Sequence, residues 1–409
     1  MILFSHIMKT NKKVLNKHKF IFPIVKGLAF LFSRINLGFR SKDKYKIKKG
    51  ERVMVLSNHQ TDFDPFCILP SFNKTLYAVA TDHIFSGKYG KILHETLGAI
   101  PKKKGMTDMR CAIEMMEVMN EGGSILLFPE GNRTYAEFQF FISESIVSML
   151  KKFKCTLVLY NLIGGTGKRP RFSHKKTKGP FIGKIRKVLT YEEYKDIPND
   201  ELLELIKENL KVFDSESGNE YKTKIRAEYL ERMLYVCPKC GSLSTLRSEG
   251  EYVFCDNCGL TVKYNSKLHF ESDDKSFKFE RLIDWWNFEK KWTRDYIVKE
   301  GEVIFEDDNL ELITVNPFED KKLLGEGKLI LTDKYIIFND YKFELSHLMI
   351  SSVVSGSRLL FKIDDTSYMV KGDERKSRFN PLKYAFMFNK LDTNMKLNNR
   401  DNYFKLEDD

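Results

Sequence analysis

Several features that would narrow the class of this 409-residue chain are missing from it. It contains no internal repeat and no long low-complexity tract. It also lacks an uninterrupted apolar stretch of about 20 residues, the length that a membrane-spanning helix needs. With 42% hydrophobic and 30% charged residues, its composition is that of a soluble globular protein rather than a disordered or integral membrane one. A chain of this length is expected to form two or three domains.

Acidic residues are scarce in the first 50 positions, where Asp43 stands alone against 11 Lys and 2 Arg. The net charge of this segment, +12, equals the formal net charge of the whole chain. The other residues therefore carry equal numbers of basic and acidic side chains. The apolar band at residues 20–32 is interrupted by Pro23 and Lys26, so we expect it to be too short to span a bilayer. It suits a segment lying in the membrane interface. We therefore predict that residues 1–49 form a basic amphipathic membrane-association segment on anionic lipids; an ordinary core helix is the alternative.

We expect no secretory signal peptide here, because too few apolar residues precede Lys9. The sequence therefore predicts a cytoplasmic protein that is peripheral on the membrane. Nucleic acid is the less favoured anionic partner, since the surplus charge lies far along the chain from the cysteine set described next. Three of the seven cysteines, Cys67, Cys111 and Cys155, are isolated in sequence and are interpreted as buried thiols.

The other four cysteines, Cys237, Cys240, Cys255 and Cys258, form two Cys-x2-Cys knuckles, each followed by a glycine. This pattern resembles a zinc ribbon, in which four thiolates close a tetrahedral shell around a structural Zn²⁺. The residues between the knuckles, 243–254, are expected to form a small hairpin. A redox dithiol pair is the alternative, which the doubled knuckle makes the weaker interpretation.

The chain divides into a predicted α/β domain and two smaller parts. Residues 50–213 alternate strand-like and helix-like segments, which favours an α/β domain with a mostly parallel sheet. The clearest helix spans 108–119, where apolar residues recur at helical spacing before Gly122 and Gly123. A polar break at 214–219 begins the zinc-ribbon part, residues 214–268, which starts with a short charged helix.

Residues 269–409 are predicted to form an antiparallel β domain. Seven short β segments and a closing helix at 380–391 resemble a pleckstrin-homology or GRAM-like barrel, and the resemblance rests on this pattern alone. The predicted strands are 303–305, 310–315, 328–332, 335–338, 348–354, 359–363 and 367–370.

Two polar blocks carry the chemistry. Asn58 and His59 follow the apolar run 53–56, and Asp64 lies five positions beyond the histidine. The second block, Phe-Pro-Glu-Gly-Asn-Arg-Thr at 128–134, follows the apolar run 124–127. Each run reads as a buried strand, so both blocks are expected at strand ends, where α/β sheets hold their ligands.

Together the blocks resemble those of the glycerolipid acyltransferase family, whose best-known members acylate lysophosphatidic acid. The resemblance covers roughly residues 30–213. It implies that His59 is the general base and that Asp64 orients its ring, with an acyl group passing from acyl-CoA or acyl carrier protein to an alcohol. A carboxylate on the far ring nitrogen stabilises the imidazolium formed as the alcohol attacks. The alternative for Asp64 is a helix N-cap before Pro65.

The resemblance also predicts the acceptor site. It assigns Glu130, Gly131 and Arg133 to the acceptor, with Arg133 on its phosphate, where a guanidinium can donate two parallel hydrogen bonds. Further candidates for acceptor binding flank these residues or lie where the family usually carries a phosphate-binding arginine: Asn58, Thr134, Lys102, Lys103 and Lys104. The alternatives are a surface ion pair for Glu130 and Arg133 and a solvated charge run for the lysines.

The predicted function is therefore acylation of lysophosphatidic acid to phosphatidic acid. The family's fourth block usually contains a proline, and residues 158–165 have none. This departure leaves glycerol 3-phosphate or another lysolipid open as acceptor. A non-catalytic membrane or lipid adaptor that keeps the fold is the alternative from another class.

Overall fold

The computed structural model describes residues 13–103, 108–354 and 357–391. The first domain is built on a seven-stranded sheet in the order β1-β7-β6-β2-β5-β3-β4. Its strands are β1 (Arg40–Ser41), β2 (Val53–Ser57), β3 (Leu76–Thr81), β4 (Ile100–Lys102), β5 (Ser124–Leu127), β6 (Thr156–Ile163) and β7 (Ile182–Leu189). Only β6 and β7 pair antiparallel in this sheet; the other neighbours are parallel. The predicted α/β domain with a mostly parallel sheet is confirmed.

Helices cover both faces of this sheet. They are α1 (Asn16–Leu37), α2 (Asp64–Ile68), α3 (Lys88–Glu95), α4 (Met109–Asn120), α5 (Ser145–Phe153), α6 (Gly165–Lys168), α7 (Tyr191–Tyr194) and α8 (Asn199–Leu210). Alternation along β2 explains the two layers, because successive side chains of a strand point to opposite faces. Met54 and Leu56 pack with α4, α5 and α8, whereas Val53 and Val55 pack with α1 and α2.

The helix predicted at 108–119 forms as α4. Its first turn is capped by the Asp108 carboxylate, which accepts the backbone N–H groups of Arg110 and Cys111, each at 3.1 Å. These two bonds satisfy amides that have no partner inside the helix.

Helix α1 is longer than the apolar band alone suggested. It runs for 22 residues with Pro23 inside it, and by length and composition the stretch Lys17–Leu37 could cross a membrane. This corrects the expectation that the band is too short. One side of the helix packs on the domain through Phe22, Ala29 and Leu37, all buried.

The segment after the α/β domain differs from its prediction. No α-helix forms within 214–236; the only helical segment there is the 3₁₀ turn Leu230–Arg232, so the predicted charged helix is wrong. The segment is organised around Arg226 instead. The buried guanidinium of Arg226 donates hydrogen bonds to the carbonyl oxygens of Tyr221, Thr223 and Tyr264. Two of those carbonyls belong to the segment itself and are thereby lost to helical hydrogen bonding.

The cysteine segment forms a four-stranded antiparallel sheet, β11-β10-β9-β8. Its strands are β8 (Leu246–Glu249), β9 (Tyr252–Cys255), β10 (Thr261–Tyr264) and β11 (Phe270–Glu271). The pairing of β8 with β9 is the hairpin predicted between the knuckles. Helix α9 (Leu282–Asp295) follows and was not predicted.

The C-terminal domain is an antiparallel sheet in the order β15-β14-β13-β12-β18-β17-β16, closed by helix α10 (Pro381–Leu391). Its strands are β12 (Val303–Thr314), β13 (Lys322–Thr332), β14 (Tyr335–Phe338), β15 (Tyr341–Glu344), β16 (Leu348–Val354), β17 (Arg358–Ile363) and β18 (Thr366–Gly372). The number of strands matches the prediction, but two predicted strands merge into β12 and β15 was missed. The polar stretch inside β12 is a bulge at Asn309, which has positive φ, and not a turn.

Candidate active site

The two polar blocks lie together at one edge of the first sheet. Strands β2 and β5 are parallel neighbours, so the loops that follow their carboxyl ends emerge side by side. His59 and Asp64 come from the loop after β2, and Glu130 to Thr134 from the loop after β5. The topology therefore unites residues 70 positions apart in the chain.

His59 and Asp64 form a hydrogen-bonded pair. The Nδ1 atom of His59 lies 2.7 Å from Oδ2 of Asp64. The fully buried Asp64 carboxylate also accepts the backbone N–H groups of Gln60 and Thr61 and the Thr61 hydroxyl. It turns back toward this loop and does not cap helix α2, so the alternative of an N-cap is not realised. With its carboxylate held by four donors, Asp64 can fix the tautomer and direction of the imidazole.

The imidazole ring is held between Asp64 and an aromatic face. It stacks on Phe128 with the ring centres 4.2 Å apart and the planes 21° from parallel. Burial lowers the pKa of His59 below its ordinary value, and the hydrogen bond that its Nδ1 donates to Asp64 opposes this shift in part. A histidine in this setting is neutral at physiological pH, which is the form that can accept a proton.

Two residues of the second block lie against the backbone of His59. The carboxyl group of Glu130 accepts the N–H of Phe140 at 3.0 Å, and the backbone N–H of His59 is near enough to oppose the rise in its pKa. On the other side, the N–H of Thr134 donates to the carbonyl oxygen of His59 at 2.9 Å. Burial raises the pKa of Glu130 to about 8. Glu130 and Thr134 thus lie behind the histidine, and Arg133 forms an ion pair with Asp62 where one with Glu130 was the alternative.

Asn58 also lies behind the site. Its amide exchanges two hydrogen bonds with the backbone of Leu162 on β6, at 2.9 and 2.8 Å. The side chain is buried and ties the end of β2 to its neighbouring strand. It is not among the residues that line the cavity described next.

A cavity of about 170 Å³ opens at His59. Its polar lining comes from the ends of several strands, as expected for the carboxyl edge of a parallel sheet: His59, Asp62, Thr81, His83, Lys102, Asn132, Arg133 and Arg171. Gly131 completes the turn of the second block. The Nη1 atom of Arg133 lies 3.1 Å from Oδ1 of Asp62, whose pKa is lowered chiefly by Arg133 against the effect of burial. Three permanent cations and one carboxylate make this lining suitable for an anionic group.

Arg171 was not singled out by the sequence analysis. Its buried guanidinium lies 3.5 Å over the ring of Tyr135 and donates to the carbonyl oxygen of Arg133 and the side-chain oxygen of Asn132. Burial lowers the pKa of Arg171 to about 9. The available signal was the basic run at 168–178, which follows β6, the strand beside β2.

The predicted lysines are placed differently from one another. Lys102 lines the cavity. Lys103 pairs with Asp365 of the C-terminal domain at 3.4 Å, while its backbone N–H donates to Asp108. Lys104 lies outside the described residues.

A second, apolar cavity of about 180 Å³ adjoins the first. Both cavities are bordered by Asp62, Pro65, Ala80 and Ile84. The remaining lining is mostly apolar and comes from α1, α2, β3 and α3: Ile21, Phe22, Val25, Phe66, Leu69, Leu76, Phe85, Leu93 and Leu97. The histidine therefore stands beside a polar chamber that continues into an apolar one.

The four predicted metal ligands come together away from this cavity. The sulfur atoms of Cys237, Cys240, Cys255 and Cys258 all lie within 4.8 Å of one another. A tetrahedral zinc shell with Zn–S bonds of about 2.3 Å needs sulfurs about 3.8 Å apart, and two of the pairs are 3.6 and 3.8 Å apart. The glycine after each knuckle has a positive φ and donates its N–H back to the first cysteine's carbonyl. The donor set fits Zn²⁺ and leaves no ligand position for a substrate.

Comparison with known proteins finds a family match within the first domain. Residues 38–159 match the family model described as Acyltransferase. No curated protein matches the chain significantly. Six chains of solved structures match, among them the 1-acyl-sn-glycerophosphate (LPA) acyltransferase PlsC from Thermotoga maritima. That match has 16% identity and a TM-score of 0.41, and covers 50% of this chain and 83% of that one. The stretch matched by the family model contains both polar blocks, so residues 38–159 carry the sequence pattern of an acyltransferase domain.

Proposed function

We propose that the protein transfers a fatty acyl group from acyl-CoA or acyl carrier protein to the free hydroxyl of lysophosphatidic acid, giving phosphatidic acid. The observation that carries this proposal is the His59–Asp64 pair at the junction of a cationic cavity and an apolar one. A phosphate and an acyl chain are the two parts of the substrates that such chambers would separate.

The chemistry is a direct transfer between two bound substrates. The hydroxyl oxygen of the acceptor attacks the thioester carbonyl while neutral His59 takes the hydroxyl proton. Asp64, hydrogen-bonded at Nδ1, stabilises the imidazolium that forms. The carbon–sulfur bond then breaks, and the imidazolium returns the proton to the leaving thiolate. No covalent acyl-enzyme is required.

The cationic chamber would bind the phosphate of the acceptor. Arg133 is the first candidate, because its guanidinium can pair with two phosphate oxygens at once. Asp62 pairs with that guanidinium, so a phosphate would compete with this carboxylate for it. Lys102 and Arg171 would add charge from neighbouring strand ends. Gly131 would bring backbone close to the acceptor, while Glu130, Thr134 and Asn58 would support the site from behind.

The exposed face of α1 would contact the membrane. The residues that share it are strongly exposed and recur three or four positions apart, as on one side of a helix: Phe20, Ile24, Leu28, Leu31 and Ile35. The opposite side packs on the domain, and Lys26 reaches back to the carbonyl oxygen of Phe72 at 2.6 Å. A helix held in this way would lie in the interface plane with its apolar face in the lipid. The protein would then be cytoplasmic and peripheral on the membrane.

The remaining parts would be accessory. The four cysteines would bind one structural Zn²⁺. The C-terminal sheet joins a four-strand meander, β12–β15, to a three-strand meander, β16–β18, through β12 and β18, with a C-terminal helix. This topology supports a pleckstrin-homology or GRAM-like module.

Product analysis with purified protein tests the proposal. The panel of acceptors contains lysophosphatidic acid, glycerol 3-phosphate, other lysophospholipids and monoacylglycerol, each offered with acyl-CoA and with acyl carrier protein as donor. We expect phosphatidic acid from lysophosphatidic acid and little product from monoacylglycerol, which lacks the phosphate. Absence of turnover with every acceptor would favour the non-catalytic adaptor.

A further inference from the structure

We infer that the C-terminal β domain forms part of the substrate site, because it holds two walls of the paired cavities through separate contacts. The phosphate wall is the loop 131–135 with Arg171. The acyl wall is the segment 84–95, which runs from Ile84 through α3. This inference rests on the proposed function and assigns the C-terminal domain a role in it.

The phosphate wall is tied to strand β16. The carbonyl oxygen of Val353 accepts hydrogen bonds from the guanidinium of Arg171 and from the hydroxyl of Tyr135, the latter at 2.5 Å. The same guanidinium donates to the carbonyl oxygen of Arg133. The Val353 carbonyl of the C-terminal domain therefore positions Arg171 and Tyr135, the two residues that support the loop containing Arg133.

These contacts are buried and therefore difficult to replace. Arg171 and Tyr135 are both buried, and a buried donor that loses its acceptor is destabilising, more so when it is charged. Tyr135 also stacks on Trp286 of α9, with ring centres 5.3 Å apart. A shift of β16 would oblige the Arg133 loop to move with it.

The acyl wall is tied to the connection between β12 and β13. The N–H of Phe318 donates to the carbonyl oxygen of Phe85 at 2.9 Å, and the N–H of Gly87 donates to the carbonyl oxygen of Glu319 at 2.6 Å. The Phe318 ring packs against Phe85 and His94, with ring centres 5.9 and 5.8 Å away. Phe85 is fully buried and lines the apolar cavity.

The two contacts act on different chambers, so they predict different kinetic effects. Weakening the contact at Phe318 should affect the binding of the acyl chain. Weakening the contact at Val353 should affect the binding of the phosphate. A role limited to general stability would change both substrates alike.

The experiment compares three full-length variants with the wild type. Phe318→Ala removes the ring on the acyl wall, and Tyr135→Phe removes one hydrogen bond on the phosphate wall while keeping the aromatic ring. Val303→Ala is the control, since Val303 is an exposed apolar residue of the same domain. The measurements are KM for acyl donors of several chain lengths, KM for lysophosphatidic acid, and amide hydrogen exchange.

We expect Phe318→Ala to raise KM for the acyl donor by about 3- to 30-fold, to alter the preferred chain length and to leave the acceptor KM nearly unchanged. We expect Tyr135→Phe to raise the acceptor KM by about 3- to 30-fold and to leave the KM for the acyl donor nearly unchanged. Exchange should quicken at 85–95 in the first variant and at 131–135 in the second.

Two failures are distinguishable. An active wild type with both variants matching Val303→Ala in KM and exchange would overturn the inference and leave the proposed function standing. A wild type without turnover on any lysolipid would overturn both.

Discussion

At the scale of single residues, the second block divides between the cavity and the backbone of the first block. Gly131 and Arg133 line the cavity, whereas Thr134 donates its N–H to the carbonyl oxygen of His59 and Glu130 accepts the N–H of Phe140. The resemblance assigned Glu130 to the acceptor, and Thr134 was a further candidate for it. The sequence could predict that the two blocks lie close together, because both follow buried strands. It could not predict which side chains face the cavity, because the loops between strand and helix decide their direction.

Glu130 offers a test of this supporting role. Glu130→Ala leaves the buried N–H of Phe140 without its acceptor and should destabilise the fold by about 1–3 kcal/mol. Glu130→Gln keeps an acceptor at the same place and should retain most of the stability. Urea unfolding of the three proteins measures the difference, and equal stability of the alanine and glutamine variants would contradict the role.

The half-buried setting of His59 predicts the pH dependence of catalysis. Its pKa is lowered, mainly by burial, so the neutral base persists as the pH falls and is lost only below the usual pKa of about 6.5. The acid limb of kcat/KM should therefore lie below pH 6.5. Phe128→Ala would admit water beside the ring and should move this limb upward. A wild-type limb at or above pH 6.5 would count against a buried base.

At the scale of elements, apolar spacing predicted the middle of the first sheet but not its edges. Helix α4 and strands β2 and β5 follow from it, whereas β1, β3, β4 and β7 were not predicted. The charged helix expected before the cysteines does not form. Arg226, which is buried by contacts distant in sequence, donates hydrogen bonds to the carbonyl oxygens of Tyr221 and Thr223 in this segment. Strand β12 was split in the prediction because a bulge and a turn share the same polar residue types. Such outcomes depend on tertiary contacts rather than on local pattern.

The exposed face of α1 predicts membrane binding that can be removed by substitution. Ile24→Ser with Leu28→Ser deletes two side chains from the stripe, and burying each is worth roughly 1.5–3 kcal/mol. The double variant should sediment with anionic liposomes at least about tenfold less strongly. Ile297→Ser is the matched control, because Ile297 is 83% exposed and lies outside the first domain. Equal binding by the double variant and the control would exclude α1 as the membrane contact.

At the scale of the whole molecule, one hydrophobic core joins the parts. It includes Tyr135 and Phe140 from the first domain, Cys237 from the cysteine segment, Trp286 on α9 and Phe386 on α10. The sequence predicted separate modules joined at polar breaks, yet Asp214, at the first break, is fully buried and accepts backbone N–H groups of 164, 166 and 167. Contacts between modules are set by the fit of their surfaces, which no motif in the sequence records.

The cysteine segment shares this common core, so a metal bound by its four thiolates should support the whole chain. Purified protein should contain about one Zn²⁺, since four thiolates complete one tetrahedral shell. Cys258→Ser should lose the metal and unfold at a lower Tm, whereas Cys67→Ala, at an isolated thiol, should keep the metal. Elemental analysis and thermal unfolding check both expectations. A wild type without metal that unfolds at the same Tm as Cys258→Ser would rule out the site.

The most direct measurement is phosphatidic acid formation from acyl donor and lysophosphatidic acid, followed by mass spectrometry in the wild type and in His59→Ala. The account predicts product from the wild type and a rate about 10²–10⁴-fold lower in the variant, which keeps both cavities but lacks the base. Equal rates in the two proteins, or no product from the wild type with any lysolipid, would contradict it.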